Sequence, residues 1–91
     1  MTVLGLNEKG EEIPVDSFLK CGSELENSKD AINQLKRILK LIVRHNDAKN
    51  YVLNKGGKDN EYTFDVFSKN VKYNITLEIH NDKIILTSIK K

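Results

Sequence analysis

The clearest pattern in the chain is a helical repeat of apolar residues in its second quarter. At 100° per residue, the apolar side chains fall within one arc of about 140°. They are Ala31, Ile32, Leu35, Ile38, Leu39, Ile42 and Val43. Ser23 and Glu26 have the spacing of a capping box, and Asn27 or Ser28 offers a later start. The repeat therefore predicts one long amphipathic helix over residues 23–46.

From residue 49 onward the pattern changes to the alternation that is typical of strands. The apolar stretches are residues 51–53, 62–66, 71–79 and 84–89. Polar turns separate them, and the last turn, Asn81-Asp82, is of the two-residue type that tolerates positive φ. Residues 49–91 are thus predicted to form a four-stranded antiparallel meander.

The N-terminal segment has two short apolar runs around a polar turn, which predicts a hairpin or an extended arm over residues 1–22. Pro14 restricts its run to an edge strand or a non-strand, and Asp16 is expected to cap one helical turn. The predicted fold class is α+β: one long amphipathic helix packed on a four-stranded antiparallel β-meander, with an N-terminal hairpin or extended arm, in a single domain of residues 1–91.

Composition narrows the possible classes of protein. The chain has 91 residues, of which 38% are hydrophobic and 31% charged. The longest strictly apolar run, Leu41–Val43, is far too short to span a membrane. A single cysteine, Cys21, excludes an internal disulfide framework and a multi-cysteine zinc site. With no secretory leader in view, we expect a cytoplasmic protein without a cofactor, of microbial or phage origin.

Charge is distributed unevenly along the sequence. Residues 1–28 carry six acids and two lysines, a net charge of −4, and residues 29–58 carry eight bases and two acids, a net charge of +6. Residues 59–91 carry five of each and are neutral. This asymmetry indicates either an anionic partner or an acidic arm that lies over its own basic face.

Opposite the apolar face, the predicted helix carries a stripe of cations. It consists of Lys29, Lys36, Arg37, Lys40 and Arg44. Such a stripe is suited to an acidic protein surface or a phosphate backbone, and its simpler interpretation is a solvated helix face. Our first hypothesis is a small non-catalytic interaction protein, of the inhibitor, immunity or accessory-factor type, that binds through this stripe or through a sheet edge.

A second hypothesis concerns the longest predicted strand. Glu78 and His80 are two residues apart and share one face, where a carboxylate and an imidazole could act as general base and acid on RNA. Lys72 or Lys90 would hold the phosphate. The competing interpretation is an ordinary polar surface whose side chains pair across the strands. No metal is expected, because His45 and His80 are far apart in the sequence and only one cysteine is present.

The order of a helix followed by an antiparallel meander resembles small RelE-like ribonuclease toxins and, equally, cystatin-like domains. The resemblance covers residues 28–91 and is one of architecture. It implies a metal-independent endoribonuclease as the alternative function. We expect a protein partner first, with RNA as the alternative, no membrane, and a homodimer if the last strand, Ile84–Ile89, is an unprotected edge.

Overall fold

The computed structural model describes residues 1–20, 25 and 27–91. Its strands are β1 (Thr2–Leu6), β2 (Glu12–Pro14), β3 (Asn54–Lys55), β4 (Glu61–Ser68), β5 (Val71–His80) and β6 (Lys83–Lys90). Its α-helices are α1 (Val15–Lys20), α2 (Lys29–Arg44) and α3 (Lys49–Val52). A 3-10 turn, Asn46–Ala48, connects α2 to α3.

The strands form one six-stranded mixed sheet in the order β2-β1-β6-β5-β4-β3. The chain is therefore α+β with one main helix. The predicted meander is only roughly matched: β4–β6 correspond to its last three strands, and a two-residue strand, β3, pairs with β4 after the position of the first. The expectation of a purely antiparallel sheet is wrong, because β1 pairs in parallel with β6 over Lys83–Leu86. The N-terminal hairpin β1–β2 thus extends the sheet, and β2, which contains Pro14, is an edge strand.

This arrangement changes the surroundings of the last strand, and the expected homodimer stays a prediction. The last strand is not an edge strand, since β1 and β5 flank it over Lys83–Leu86. Val3 and Gly5 of β1 stand opposite Ile84 and Leu86. The short apolar run at the start of the chain therefore covers the first half of β6, whereas Ser88–Lys90 pair with β5 and with no other described strand.

The main helix is shorter than predicted. It begins at Lys29, with Ser28 as its N-cap, whereas the expected capping box of Ser23 and Glu26 lies outside the described residues. It ends at Arg44, because the backbone of His45 is extended. The predicted strand at residues 51–53 is also wrong: α3 covers most of it, with Leu53 buried and Tyr51 86% exposed. A short apolar run does not distinguish a strand from a helical turn.

The core lies between α2 and one face of the sheet. From α2 it receives Ala31, Leu35, Leu39 and Ile42. From the sheet it receives alternate residues of β4, β5 and β6, namely Phe64, Val66, Tyr73, Ile75, Leu77, Ile84 and Leu86. The predicted helical arc is mostly confirmed, but Val43 is 40% exposed. Leu41, which is not part of the arc, is 39% exposed. Val43 therefore contributes to a surface of the protein and not to its core.

The hairpin turns differ from expectation in one detail. Among the described residues, positive φ occurs at Lys69 (55°) and at Gly10 (80°). The turn between β5 and β6 therefore forms without positive φ at Asn81 or Asp82. The strained position is in the other hairpin, where Lys69 and Asn70 connect Ser68 to Val71.

Candidate functional site

All five residues of the predicted stripe lie on α2, and all five are exposed. Lys36, Lys40 and Arg44 are spaced four residues apart, so they form a line along the helix with a rise of about 6 Å between neighbours. Arg37 stands beside this line, and Lys29 lies at the start of the helix. We call the residues Lys29, Lys36, Arg37, Lys40 and Arg44 the basic stripe.

The acidic N-terminal segment reaches the basic stripe at one point. Asp16, in the first turn of α1, forms an ion pair with Lys36 at 3.6 Å between Oδ1 and Nζ. Both side chains are well exposed, at 72% and 48%. Glu12, by contrast, is bound to Lys83 on β6. Within residues 1–20, 25 and 27–91, no other acid is within ion-pair distance of the stripe.

A groove runs along α2 on the side of β1 and α1, and its volume is about 670 Å³. Its apolar lining is Met1, Val3, Val15, Leu39 and Val43. Its polar rim is Lys36, Lys40, Arg44 and Asp16. We call this surface the α2 groove. Because Met1 and Val43 are 46% and 40% exposed, apolar surface is directly accessible beside the cations.

The opposite flank of the helix has a smaller depression of about 360 Å³. It is lined by Arg37, Lys40, Leu41, Arg44 and His45. Lys40 and Arg44 thus border accessible apolar side chains on both sides. The sequence predicted the cations of this surface, whereas it gave no sign that Met1 and Val3 would lie beside them.

The sheet face opposite the helix carries the second candidate site. Glu78 and His80 lie close together there, with 3.9 Å between Oε2 and Nε2. Lys83 stands directly across from His80, and its ammonium group donates to Glu12 at 2.6 Å. That hydrogen bond raises the pKa of Lys83 above its ordinary value of 10.5. Sequence reasoning missed Lys83, although the hairpin between His80 and Lys83 implies that they face each other.

The two lysines proposed to hold a phosphate lie elsewhere on this face. Lys72 precedes Glu78 by six residues of β5, a distance of about 20 Å along an extended strand. Lys90 is opposite Asn74, which precedes Glu78 by four residues, or about 13 Å. The structure therefore brings together the carboxylate and the imidazole but not the cations that were predicted to accompany them.

Two further observations concern the described part of the chain. No group of three or more potential metal-ligating side chains is found among those residues. None of the helices in those ranges has both the length and the hydropathy that crossing a membrane requires.

No protein-family model matches the chain, and no curated protein or solved structure shows significant similarity to it. The resemblance to RelE-like toxins and cystatin-like domains therefore stays a prediction from the order of elements.

Proposed function

We propose that this chain is a non-catalytic interaction protein that binds an acidic protein partner through the basic stripe of α2. The observation that carries the proposal is the uneven pairing of the stripe. Of its five cations, Lys36 alone has an acidic side chain within ion-pair distance in the described residues, and Lys40 and Arg44 border exposed apolar side chains.

The energetics of the helix support a role beyond solvation. Like charges four residues apart on a helix destabilise it by about 0.2–0.5 kcal/mol per pair. Lys36, Lys40 and Arg44 contain two such pairs. A helix face that served only to keep the protein hydrated could alternate its charges and gain the same amount. The uncompensated positive face lowers stability, and an acidic partner would reverse that effect.

A protein partner fits this surface better than a nucleic acid. Stacking on aromatic side chains supplies much of the binding energy for unpaired bases. Among the described residues, no Phe, Tyr or Trp lines the α2 groove or the depression on the opposite flank, where His45 is the one aromatic ring. Accessible apolar residues next to cations are suited instead to a partner that has both acidic and apolar side chains.

The test is an affinity capture from lysate of the cells that express the protein, with and without ribonuclease. The double variant Lys36→Glu/Lys40→Glu is compared with Lys72→Glu/Lys90→Glu, which makes the same change of charge on the other face of the sheet. We expect wild type and the sheet variant to retain a ribonuclease-resistant protein that the stripe variant loses. Retention by the stripe variant, or release of the partner by ribonuclease, would contradict the proposal.

A second candidate is an endoribonuclease that uses Glu78 and His80. The contact of 3.9 Å between these side chains favours it. This function predicts that the purified protein cleaves RNA without added metal and that His80→Ala abolishes the cleavage. The stripe variant would keep this activity. Capture of the partner and cleavage of RNA, measured on Lys36→Glu/Lys40→Glu and on His80→Ala, therefore distinguish the two candidate functions.

A further inference from the structure

The α2 groove combines two kinds of side chain in a regular order. Lys36, Lys40 and Arg44 follow its rim at every fourth residue of the helix, while Leu39 and Val43 lie one residue before the latter two and enter its lining. β1 completes the apolar surface from the opposite wall with Met1 and Val3. The cations therefore stand in a row directly above an apolar floor.

The chain itself shows how this rim receives a carboxylate. Asp16 lines the groove and forms an ion pair with Lys36 at one end of the row. Lys40 and Arg44 continue the row with no acid within ion-pair distance in the described residues. The unmatched positive charge of the groove is thus located at the two cations nearest the C-terminal end of α2.

The backbone beside the groove favours recognition by side chains. β1 is flanked by β2 on one side and by β6 on the other. The pairing with β2 covers Leu4–Leu6 and the pairing with β6 covers Thr2–Gly5. Thr2 and Val3 are therefore unpaired on the β2 side, a stretch too short for a partner strand to add. A helix needs no backbone pairing, and it presents residues four apart on one face with a rise of about 6 Å, the same spacing as Lys40 and Arg44.

From this complementarity we infer that the α2 groove is the docking site for an acidic amphipathic helix of a partner protein. Apolar side chains of the helix pack on Val43, Leu39, Met1 and Val3, and two of its carboxylates, four residues apart, pair with Lys40 and Arg44. The inference rests on the proposed function and specifies it: the partner is recognised by its apolar stripe as well as by its charge.

Three synthetic peptides of about 20 residues, long enough to be helical in isolation, test the inference. The first has Leu along one face and Glu at every fourth residue beside it. The second has the same composition in an order that destroys the apolar stripe, and the third replaces every Glu by Lys. Binding is measured by fluorescence anisotropy at low salt, and the contacted residues are mapped by amide chemical shifts of the labelled full chain.

Two pairs of matched variants locate the site. Lys40→Glu/Arg44→Glu removes the unmatched cations, and Lys72→Glu/Lys90→Glu is its control on the other face of the sheet. Val43→Asn removes an exposed valine from the groove, and Val71→Asn changes a valine of similar exposure, 37%, that lies outside it. We expect the first peptide to lose about tenfold in affinity with the double charge reversal and about fivefold with Val43→Asn, but little with either control.

The outcomes separate this inference from the proposed function. Suppose that the first two peptides bind equally, that Val43→Asn has no effect, and that Lys40→Glu/Arg44→Glu weakens binding. This result contradicts docking of a helix in the groove but agrees with an acidic partner on the basic stripe. If Lys40→Glu/Arg44→Glu changes the affinity for neither acidic peptide, both the inference and the proposed function are contradicted. Preferential binding of single-stranded RNA or of vesicles with anionic headgroups, mapped to the same residues, also overturns the inference, because the partner then belongs to another class.

Discussion

The side-chain amide of Gln34 on α2 forms two hydrogen bonds with the backbone of Phe67 on β4. The amide N–H of Phe67 donates to Oε1 of Gln34 at 2.9 Å, and Nε2 of Gln34 donates to the carbonyl of Phe67 at 2.5 Å. β3 pairs with β4 only at Tyr62 and Thr63. Gln34 therefore takes the place of a neighbouring strand at Phe67 and satisfies an edge that would otherwise invite pairing with another chain.

Gln34→Ala removes both hydrogen bonds, and we expect it to lower the free energy of unfolding by about 1–2 kcal/mol. Urea unfolding measures the loss, and hydrogen exchange at the Phe67 amide locates it. Asn33→Ala, at the preceding exposed position of the same helix, controls for the change in helix propensity. Equal effects of the two substitutions, or unchanged exchange at Phe67, would show that the contact does not protect the edge.

Gly5 lies where no side chain fits. A Cβ at this position would be 2.2 Å from Cβ and 2.3 Å from Cγ of Phe18, which packs from α1 onto β1. Gly5→Ala should therefore displace α1 and lower the free energy of unfolding by about 3 kcal/mol, at the upper end of overpacking effects.

Gly57→Ala is the matched control for that substitution, because its new Cβ would meet only Oε1 of Glu61 at 3.9 Å, an ordinary contact. Thermal unfolding of the two variants compares them directly. A loss in Gly5→Ala no larger than that in Gly57→Ala would mean that Phe18 yields at little cost.

Lys69 begins the β4–β5 turn with φ at 55°, a conformation that disfavours residues with a Cβ. Replacing it by glycine removes this strain, so Lys69→Gly should raise the free energy of unfolding by about 1 kcal/mol. Asn70→Gly, at the next residue and without positive φ, should give no gain. Urea unfolding of the two variants checks the prediction, and a stabilisation by Asn70→Gly of equal size would contradict it.

The pair of Lys83 and Glu12 predicts a dependence of stability on alkaline pH. The pKa of Lys83 is raised mainly by its hydrogen bond to Glu12, against a smaller opposing effect of desolvation. Because the folded pKa exceeds the unfolded value of about 10.5, this contribution is fully present below that pH. It is lost as the pH rises through the folded pKa.

Glu12→Gln should therefore reduce the loss of stability that we expect wild type to show above about pH 10.5. Urea unfolding across this range gives the two profiles. Glu11→Gln changes the neighbouring exposed carboxylate, for which no ion pair is found in the described residues, and serves as the control. If the profiles of wild type and Glu12→Gln have the same slope, the hydrogen bond does not stabilise the fold.

The sequence predicted those parts of the fold in which a periodic pattern of apolar residues extends over many positions. The alternation from Val71 to Ile79 identified β5, and the helical repeat around Leu35 and Leu39 identified α2 and its buried face. The parts that it missed depend on pairing between distant segments. Nothing local to Val3 indicates that β1 aligns in parallel with β6, since a strand pattern specifies which face is buried but not which neighbour it has.

The candidate site likewise has features that local sequence predicts and features that depend on pairing between distant segments. The cations of the stripe follow from the helical projection alone, because side chains four residues apart share a face. The apolar wall of the groove does not, since Met1 and Val3 reach it only through the position of β1 in the sheet. Likewise, the pairing of His80 with Lys83 follows from a hairpin, whereas the meeting of Glu12 with Lys83 requires the complete sheet order.

Asp16 occupies one end of the α2 groove, so neutralising its charge should increase the affinity of the groove for an acidic partner. Asp16→Asn releases Lys36 and removes the only acid among the described residues that line the groove. We expect the affinity for the acidic amphipathic peptide to rise about two- to fivefold, while stability falls by less than about 1 kcal/mol, because exposed ion pairs contribute little.

Glu8→Gln makes the same change of charge in the exposed β1–β2 turn and measures the nonspecific gain from one less acid. The two variants are compared by anisotropy with the same peptide at low and at high salt. A gain confined to Asp16→Asn, larger at low salt, is the expected result, since screening weakens exposed charge pairs. Equal gains in both variants would mean that the peptide senses net charge and that Lys36 takes no particular part in docking.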